Sequence, residues 1–435
     1  MGKPFEVKEF DSITCNEDYK DDEKYKYLNQ MEFENLVAFI HEFNGNAENA
    51  DALDFMKIEY RRNVGEVVSI KNYVGLIQMK NGFQIQVLPK IGFVEKDEGN
   101  VKTKRVFIKM LLSMKNFPSK VFDNASLKVD KMNMYEIFIN MYLQEVRKLV
   151  KHGIKSNYVE QNDNLRYCKG KLLVNEHMRA NLVHKERFYV SYEEFHPNMV
   201  ENRIVKATLV KLQKLTTSAE NSKKIRQLLT AFEMVDASVN YAKDFSKVMI
   251  NRNTEDYEML MQWSRVFLMN KSFTTFSGST VSRALLFPME SVYESYVAQQ
   301  MKKVMEPEGW NVSSQDKGHY LFTEPRCQFA LRPDIVMKKD NRIVILDTKW
   351  KSLVDNERVN YGISQADMYQ MYAYSMKYKT SEIWLLYPVN DEMRNHEPIG
   401  FKSKDEITGE ITVNLHFVNV DKIEESLQEL KNKLE

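Results

Sequence analysis

The 435-residue chain has only three cysteines, Cys15, Cys168 and Cys327, scattered without paired spacing. They build neither a disulfide framework nor a zinc knuckle, which points to a reducing compartment such as the cytoplasm. Its eight histidines, among them His41, His177, His184 and His319, show no His-x-x-x-His or His-Glu-x-x-His spacing, so zinc chemistry of that kind has no scaffold. No run of eighteen apolar residues occurs, so nothing reads as a membrane-spanning helix. The start, Met1-Gly2-Lys3-Pro4-Phe5-Glu6, fits neither a signal peptide nor a myristoylation pattern. A Gly-x-x-x-x-Gly-Lys-Ser/Thr loop is missing too. Lys169-Gly170-Lys171 comes nearest but lacks the upstream glycine and the hydroxyl residue, so this chain is not expected to bind nucleotide itself. Excess charge is also absent, since 62 basic residues meet 61 acidic ones, and any polyanion surface has to be local. The strongest local patch is 101–131, with eight Lys/Arg against Asp123 and Asp130. It reads as a solvated helix face or as a surface facing phosphates.

The length calls for two or three domains, and 43 % hydrophobic residues describe a globular chain. Helical periodicity runs through 24–44, and short strand-like runs follow from Phe55 to Leu88, the last two flanking Asn81-Gly82. These imply a small β barrel or sheet packed on helices, an α+β region. Helices are expected at 102–116, 133–152, 202–215, 223–232 and 256–270, with a strand starting at Lys171. Ser277-Gly278-Ser279-Thr280 is the best linker; it lacks the flanking glycines of a nucleophile elbow. Beyond it the pattern becomes α/β, with a helix at 289–305, strands between 310 and 349, a helix at 364–379, more strands, and a final helix at 422–434. Domains at 1–276 and 281–435 follow.

Chemistry concentrates in Arg332-Pro333-Asp334 and Leu346-Asp347-Thr348-Lys349. A two-residue turn at Asp340-Asn341 places Asp334 opposite Asp347 on neighbouring antiparallel strands, with Arg332 and Lys349 on their face. Ile335, Met337, Val344 and Leu346 make the other face apolar, so these strands are buried. Two facing carboxylates there repel unless a cation sits between them, which points to a divalent metal. Mg²⁺ fits an oxygen-ligand set and a phosphodiester hydrolysis in which Lys349 orients water and stabilises the transition state. Glu290 and Glu294, four residues apart on the preceding helix, could each complete the set. Ser364-Gln365-Ala366-Asp367 has the form of a capping box, and Gln370 and Tyr374 follow one turn apart. A plain salt-bridged surface ribbon is the competing reading of the same residues. Tyr369, Tyr372 and Tyr374 read mostly as core, with base stacking the lesser reading, and Trp350 as the buried end of its strand.

These residues resemble the PD-(D/E)xK nuclease signature, and Gln370-x-x-x-Tyr374 resembles the helix motif of its RecB-like branch. A closer resemblance is to the McrC family, nuclease subunits of McrBC-type restriction systems. It is carried by Val74-Gly75-Leu76-Ile77, Val87-Leu88-Pro89-Lys90-Ile91, Glu201-Asn202-Arg203 and Leu285-Leu286-Phe287-Pro288-Met289 through Tyr293-Glu294. Leu165 to Leu172 sits where the family has an Arg-Gly turn, but Tyr167-Cys168-Lys169 separates Arg166 from Gly170. The resemblance implies a restriction-endonuclease-like fold for 281–435. It makes Asp334, Asp347 and Glu294 the Mg²⁺ ligands, Lys349 the catalytic lysine and Gln370 and Tyr374 its support, with Glu294 preferred to Glu290. It further implies double-stranded DNA, methylated or otherwise modified, as substrate. The implied partner is a McrB-like AAA+ GTPase hexamer, docked on and stimulated by the N-terminal region. An assembly subunit with secondary nuclease activity and a free-standing RecB-like nuclease are the alternatives.

Overall fold

The structure is a computed structural model that describes residues 4–44, 55–79, 81–91, 100–114, 117, 133–252, 254–269, 283–405 and 409–434. The linker expected at 277–280 and most of the basic stretch beyond 114 lie outside these residues.

Two four-stranded sheets form the N-terminal part. In one, Tyr25–Tyr27, Ser12–Thr14, Gly65–Ile70 and Met56–Arg61 are neighbours in that order. The other runs Phe5–Lys8, Gln84–Leu88, Tyr73–Gln78 and Arg283–Pro288. The helix Gln30–Asn44 places Phe33, Leu36 and Ile40 on one stripe, against Ile13, Val68, Ile77 and Ile85 from both sheets. It starts later than its periodicity suggests, because Tyr25–Tyr27 pairs in parallel with Ser12–Thr14. The second sheet is completed by a strand from beyond residue 281, so the two expected parts share a sheet. Helices Val101–Leu111, Met134–His152, Val200–Leu215, Ala219–Thr230 and Glu258–Met269 build a body with Phe107, Phe138, Tyr142 and Trp263 in its core. No helix among the described residues is long and apolar enough to cross a membrane.

From this body Asn157–Leu165 and Phe188–His196 form a long antiparallel pair. Periodicity passes over the second strand, although its aromatic and β-branched residues suit one. Gly170 lies beside it at φ +74°, where an added Cβ would meet the Ser191 carbonyl oxygen at 2.3 Å. The glycine is therefore needed for close approach, whatever the spacing to Arg166, which is exposed. Of the basic stretch, Lys102 pairs with Asp421 and the buried Lys104 with Glu6, so these two amines are engaged within the fold.

The C-terminal sheet has six strands in the order Asn311–Ser314, Ile335–Lys339, Arg342–Thr348, Glu382–Pro388, Gly409–Val418 and Gly400–Asp405. The two central interfaces, either side of Glu382–Pro388, are parallel and the outer ones antiparallel. Helices Met289–Met305 and Ile423–Leu434 cover one face through Tyr293, Tyr296, Leu427 and Leu430, packed with Met337, Val344 and Leu346. Helix Gln365–Tyr378 covers the other, setting Met371, Tyr374 and Tyr378 against Val336, Ile345 and Leu385. Burial on both faces explains why the central strands read as apolar runs.

Gly75 is where the shared sheet is most sensitive. It has φ +146°, and an added Cβ would lie 1.8 Å from the Leu285 carbonyl oxygen of the strand that leads into helix Met289–Met305. Gly75→Ala is expected to lower stability by about 2–4 kcal/mol through this backbone clash. Chemical denaturation compared with the wild-type chain measures it.

Candidate active site

The hairpin expected at Asp340-Asn341 forms. Ile335 faces Leu346 and Lys339 faces Arg342, a register that extrapolates to Asp334 opposite Asp347. Asp340 makes the turn at φ +51°, a conformation aspartate tolerates better than most residues. Asp334 itself lies one residue before the paired strand. One of its carboxylate oxygens, Oδ2, accepts the Thr348 backbone N–H at 2.7 Å and the Thr348 hydroxyl at 2.6 Å. Asp347 occupies the centre of the sheet with 1 % exposure. Lys349 follows the strand end, its backbone N–H donating to Leu386 at 2.9 Å, and its Nζ stands 2.6 Å from Asp347 Oδ2. This close ion pair is the one polar contact of the buried oxygen among the described residues.

The helices supply the rest. Lys349 Nζ donates to Gln370 Oε1 at 3.2 Å, and Gln370 Nε2 donates to the Tyr374 hydroxyl at 2.6 Å. Asp367 approaches the same amine at 3.6 Å. Ser364 accepts the Asp367 backbone N–H and caps this helix, leaving the Asp367 carboxylate to face Lys349. From the opposite helix, Glu294 accepts a 3.0 Å hydrogen bond from Gln315, whose own backbone N–H donates to the Asp334 carbonyl. Glu290 turns away to Asn72 Nδ2 at 3.0 Å, in the N-terminal part. Sequence therefore brings Asp334, Asp347, Lys349, Glu294, Gln370 and Tyr374 together, while Glu290 and the exposed Arg332 stand apart. Asp367, Thr348 and Gln315 are additions; only Asp367 had a signal, as a cap.

The electrostatics are those of crowded, desolvated acids. Burial, reinforced by the charge of Asp334, pushes Asp347 up to about 7 against the opposing pull of Lys349. Burial also raises Asp334, despite the hydrogen bonds from Thr348. Glu294 is lifted to about 7 by burial and then by Asp334. Burial works to lower the Lys349 amine, but Asp347, Asp367 and Asp334 together hold it above its usual value. The site thus has more carboxylates than one amine can neutralise. No group of three His, Cys, Asp or Glu side chains among the described residues is preassembled as a metal cage. Mg²⁺ does not need one, because it is usually held by one or two carboxylates, waters and substrate phosphate. The surplus of carboxylate oxygens over the single amine fits such an ion.

One support comes from far along the chain. Trp350 is buried and donates its indole N–H to both Glu9 oxygens, at 2.9 and 3.0 Å, while its ring lies 5.2 Å from Tyr293. It is thus clamped between the N-terminal sheet and the residue before Glu294. Tyr374 is core as expected, but Tyr369 and Tyr372 are exposed, because the buried stripe of their helix runs through Met371, Tyr374 and Tyr378.

The features so far define a mixed α/β protein with an acid-and-amine site at the end of a helix-flanked sheet. Residues 68–388 match the family model described as McrBC 5-methylcytosine restriction system component. The match spans well over half of the chain, which belongs to that family. Among solved structures, one half-complex from a tetradecameric assembly of Thermococcus gammatolerans McrB AAA+ hexamers with bound McrC aligns over 100 % of both chains, with TM-score 0.69 and 18 % identity. A second, the Thermococcus gammatolerans McrBC complex, covers 68 % of this chain and 86 % of that one, with TM-score 0.46 and 19 % identity. A comparison with curated proteins gave no match.

Burial raises Glu9 to about 7 from its ordinary 4.5, so between those values the folded chain keeps a proton that the unfolded chain releases. This contribution to stability is complete below the lower value and is lost as pH rises through the higher one. Glu9→Gln keeps an acceptor for Trp350 and has nothing to ionise. Thermal unfolding at pH 5 and pH 8 should therefore show a smaller loss for Glu9→Gln than for wild type; parallel behaviour would contradict the assignment.

Proposed function

We propose that this chain is the DNA-cutting subunit of a GTP-dependent, McrBC-like restriction complex. Its PD-(D/E)xK-type domain, 281–435, hydrolyses phosphodiester bonds with Mg²⁺. The observation that carries the reading is Asp347: a carboxylate 1 % exposed, beside a second buried acid and against the only amine in contact with it among the described residues. A structural salt bridge does not require a second and third acid to be buried at the same place.

Asp334, Asp347 and Glu294 would hold the ion, and Tyr374, through Gln370, fixes where the Lys349 ammonium points. When bound, Mg²⁺ supplies charge neutralisation at the phosphate and a more acidic water. Lys349, kept protonated by its acidic neighbours, orients the attacking water and stabilises charge on the phosphate oxygens. Thr348 holds Asp334 in place by two hydrogen bonds, so that this acid does not turn away from the cluster.

The McrC of the Thermococcus gammatolerans assembly is bound to McrB AAA+ hexamers, and the likeness of fold along the whole chain supports a partner of that kind here. The absence of a phosphate loop fits a division of labour in which GTP is hydrolysed by that partner. Residues 1–276 would then dock on it and stimulate it, while recognition of modified DNA belongs to the complex.

Asp347→Asn tests the reading. Mg²⁺-dependent cutting of duplex DNA, assayed with the GTPase partner, should fall by about 10³-fold or more. GTPase stimulation should survive, and circular dichroism should show the variant still folded, since Asp367 and Asp334 remain beside the Lys349 amine. Loss of GTPase stimulation in a folded variant would contradict the division of labour. Cutting by the wild-type chain alone without GTP would instead favour a free-standing nuclease.

A further inference from the structure

Leading directly into Asp334 is a small hairpin, Tyr320–Phe322 paired with Gln328–Ala330. It carries two of the large exposed aromatics, Phe322 at 56 % and Phe329 at 68 % exposure, stacked edge to face with centroids 6.0 Å apart. Nothing among the described residues covers them. Lys317, Arg326 and Arg332 in the same segment are exposed, and none makes an ion pair among the described residues. Asp316 faces inward and accepts from Tyr378, which leaves Glu324 as the exposed acid.

The hairpin is mounted on the site rather than hung beside it. At its base the Leu331 N–H donates to the His319 carbonyl, and the His319 ring lies 4.1 Å from that of Tyr378. Gln315, at the segment's start, bonds both Glu294 and the Asp334 carbonyl. Helix Gln365–Tyr378 joins the two places, since Gln370 contacts Lys349 and Tyr378 contacts the hairpin base. Eight residues of helix span about 12 Å, which corresponds to about three or four base pairs of duplex. Tyr369, Tyr372 and Met376 lie exposed along that same helix.

We propose that this hairpin is a DNA-gripping wedge, whose Phe322–Phe329 pair enters a groove of duplex DNA within a few base pairs of the phosphate being cut. The inference rests on the nuclease reading and adds how the substrate is seated. Apolar wedges that part base steps, with cations on the flanking phosphates, are an established way of holding duplex DNA. An exposed aromatic pair with unpaired basic neighbours, on the chain that becomes the site acid, matches that chemistry. Exposed cations beside the aromatic pair favour a polyanion over a protein partner on this face.

Cys327, exposed on the hairpin, and Cys168, exposed after the strand Asn157–Leu165, allow a test on the unaltered chain. Iodoacetamide labelling is followed by mass spectrometry with and without a saturating 30-base-pair duplex, in Ca²⁺ to prevent cutting. DNA should slow labelling of Cys327 by about tenfold and leave Cys168 unchanged. Phe322→Ser with Phe329→Ser should weaken duplex binding by about tenfold by anisotropy and leave unfolding unaltered. Lys317→Ala with Arg326→Ala should lower the salt slope by about 2. Equal labelling of Cys327 by a chain that binds and cuts DNA overturns the wedge alone. Protection of Cys327 that grows with protein concentration in the absence of DNA overturns it in favour of a contact between copies. Failure of the wild-type complex to cut any DNA in Mg²⁺ counts against the nuclease reading, and labelling then judges the hairpin separately.

Discussion

A carboxylate buried in the middle of a sheet, with another acid beside it, is a configuration that a fold tolerates only with compensation. Here Asp347 has an amine at 2.6 Å, and Asp334 has two hydrogen bonds from Thr348. Much of the C-terminal architecture serves these contacts. The strand Arg342–Thr348 is central and apolar on both faces apart from its end, so the acid cannot escape to solvent without breaking the sheet. Lys349 is fixed by Leu386 from the neighbouring parallel strand and by Gln370 from the covering helix. Each compensation is incomplete, since burial still outweighs it and holds both aspartates above their ordinary values. That residual strain is what a divalent cation would relieve.

How far the site could be read in advance depended on whether the deciding contact was local. The Asp340-Asn341 turn and the apolar alternation around it sufficed to pair the strands, because register in a short hairpin follows from its turn. Choosing between Glu290 and Glu294 from the residues alone did not work: four positions apart, they lie on one flank of the helix. What separates them is distant in sequence: Asn72, 218 residues before Glu290, bonds that residue, and Gln315 bonds Glu294. Asp367 was visible as a helix start, and its second role was hidden because capping uses only its backbone N–H. Tyr369 and Tyr372 misled because aromatic spacing in a helix does not reveal which stripe meets the sheet.

The Glu9–Trp350 contact was out of reach of any local pattern, bridging 341 positions of sequence. It changes how the two parts of the chain relate. Trp350 follows Lys349, and its ring meets Tyr293, the neighbour of Glu294. A single indole thus touches the bases of two site-bearing elements, and its N–H is held by the N-terminal sheet. That sheet is closed in turn by the strand Arg283–Pro288, which continues into the helix carrying Glu294. The N-terminal sheet therefore reaches both sides of the acid cluster through rigid elements, one by hydrogen bond and one by covalent continuity.

Such a layout ties the geometry of the acid cluster to the N-terminal sheet. Were the site carried on a domain joined by a loose linker, a displacement elsewhere in the chain could not influence its geometry. With Glu9 and Arg283–Pro288 built into both sides, a shift of the N-terminal sheet would be felt at Trp350 and at the start of the Met289–Met305 helix, which border Lys349 and Glu294. A displacement there would change how the carboxylates of Asp334, Asp347 and Glu294 face one another. The acid cluster and the N-terminal sheet are therefore coupled through packing that the fold needs in any case.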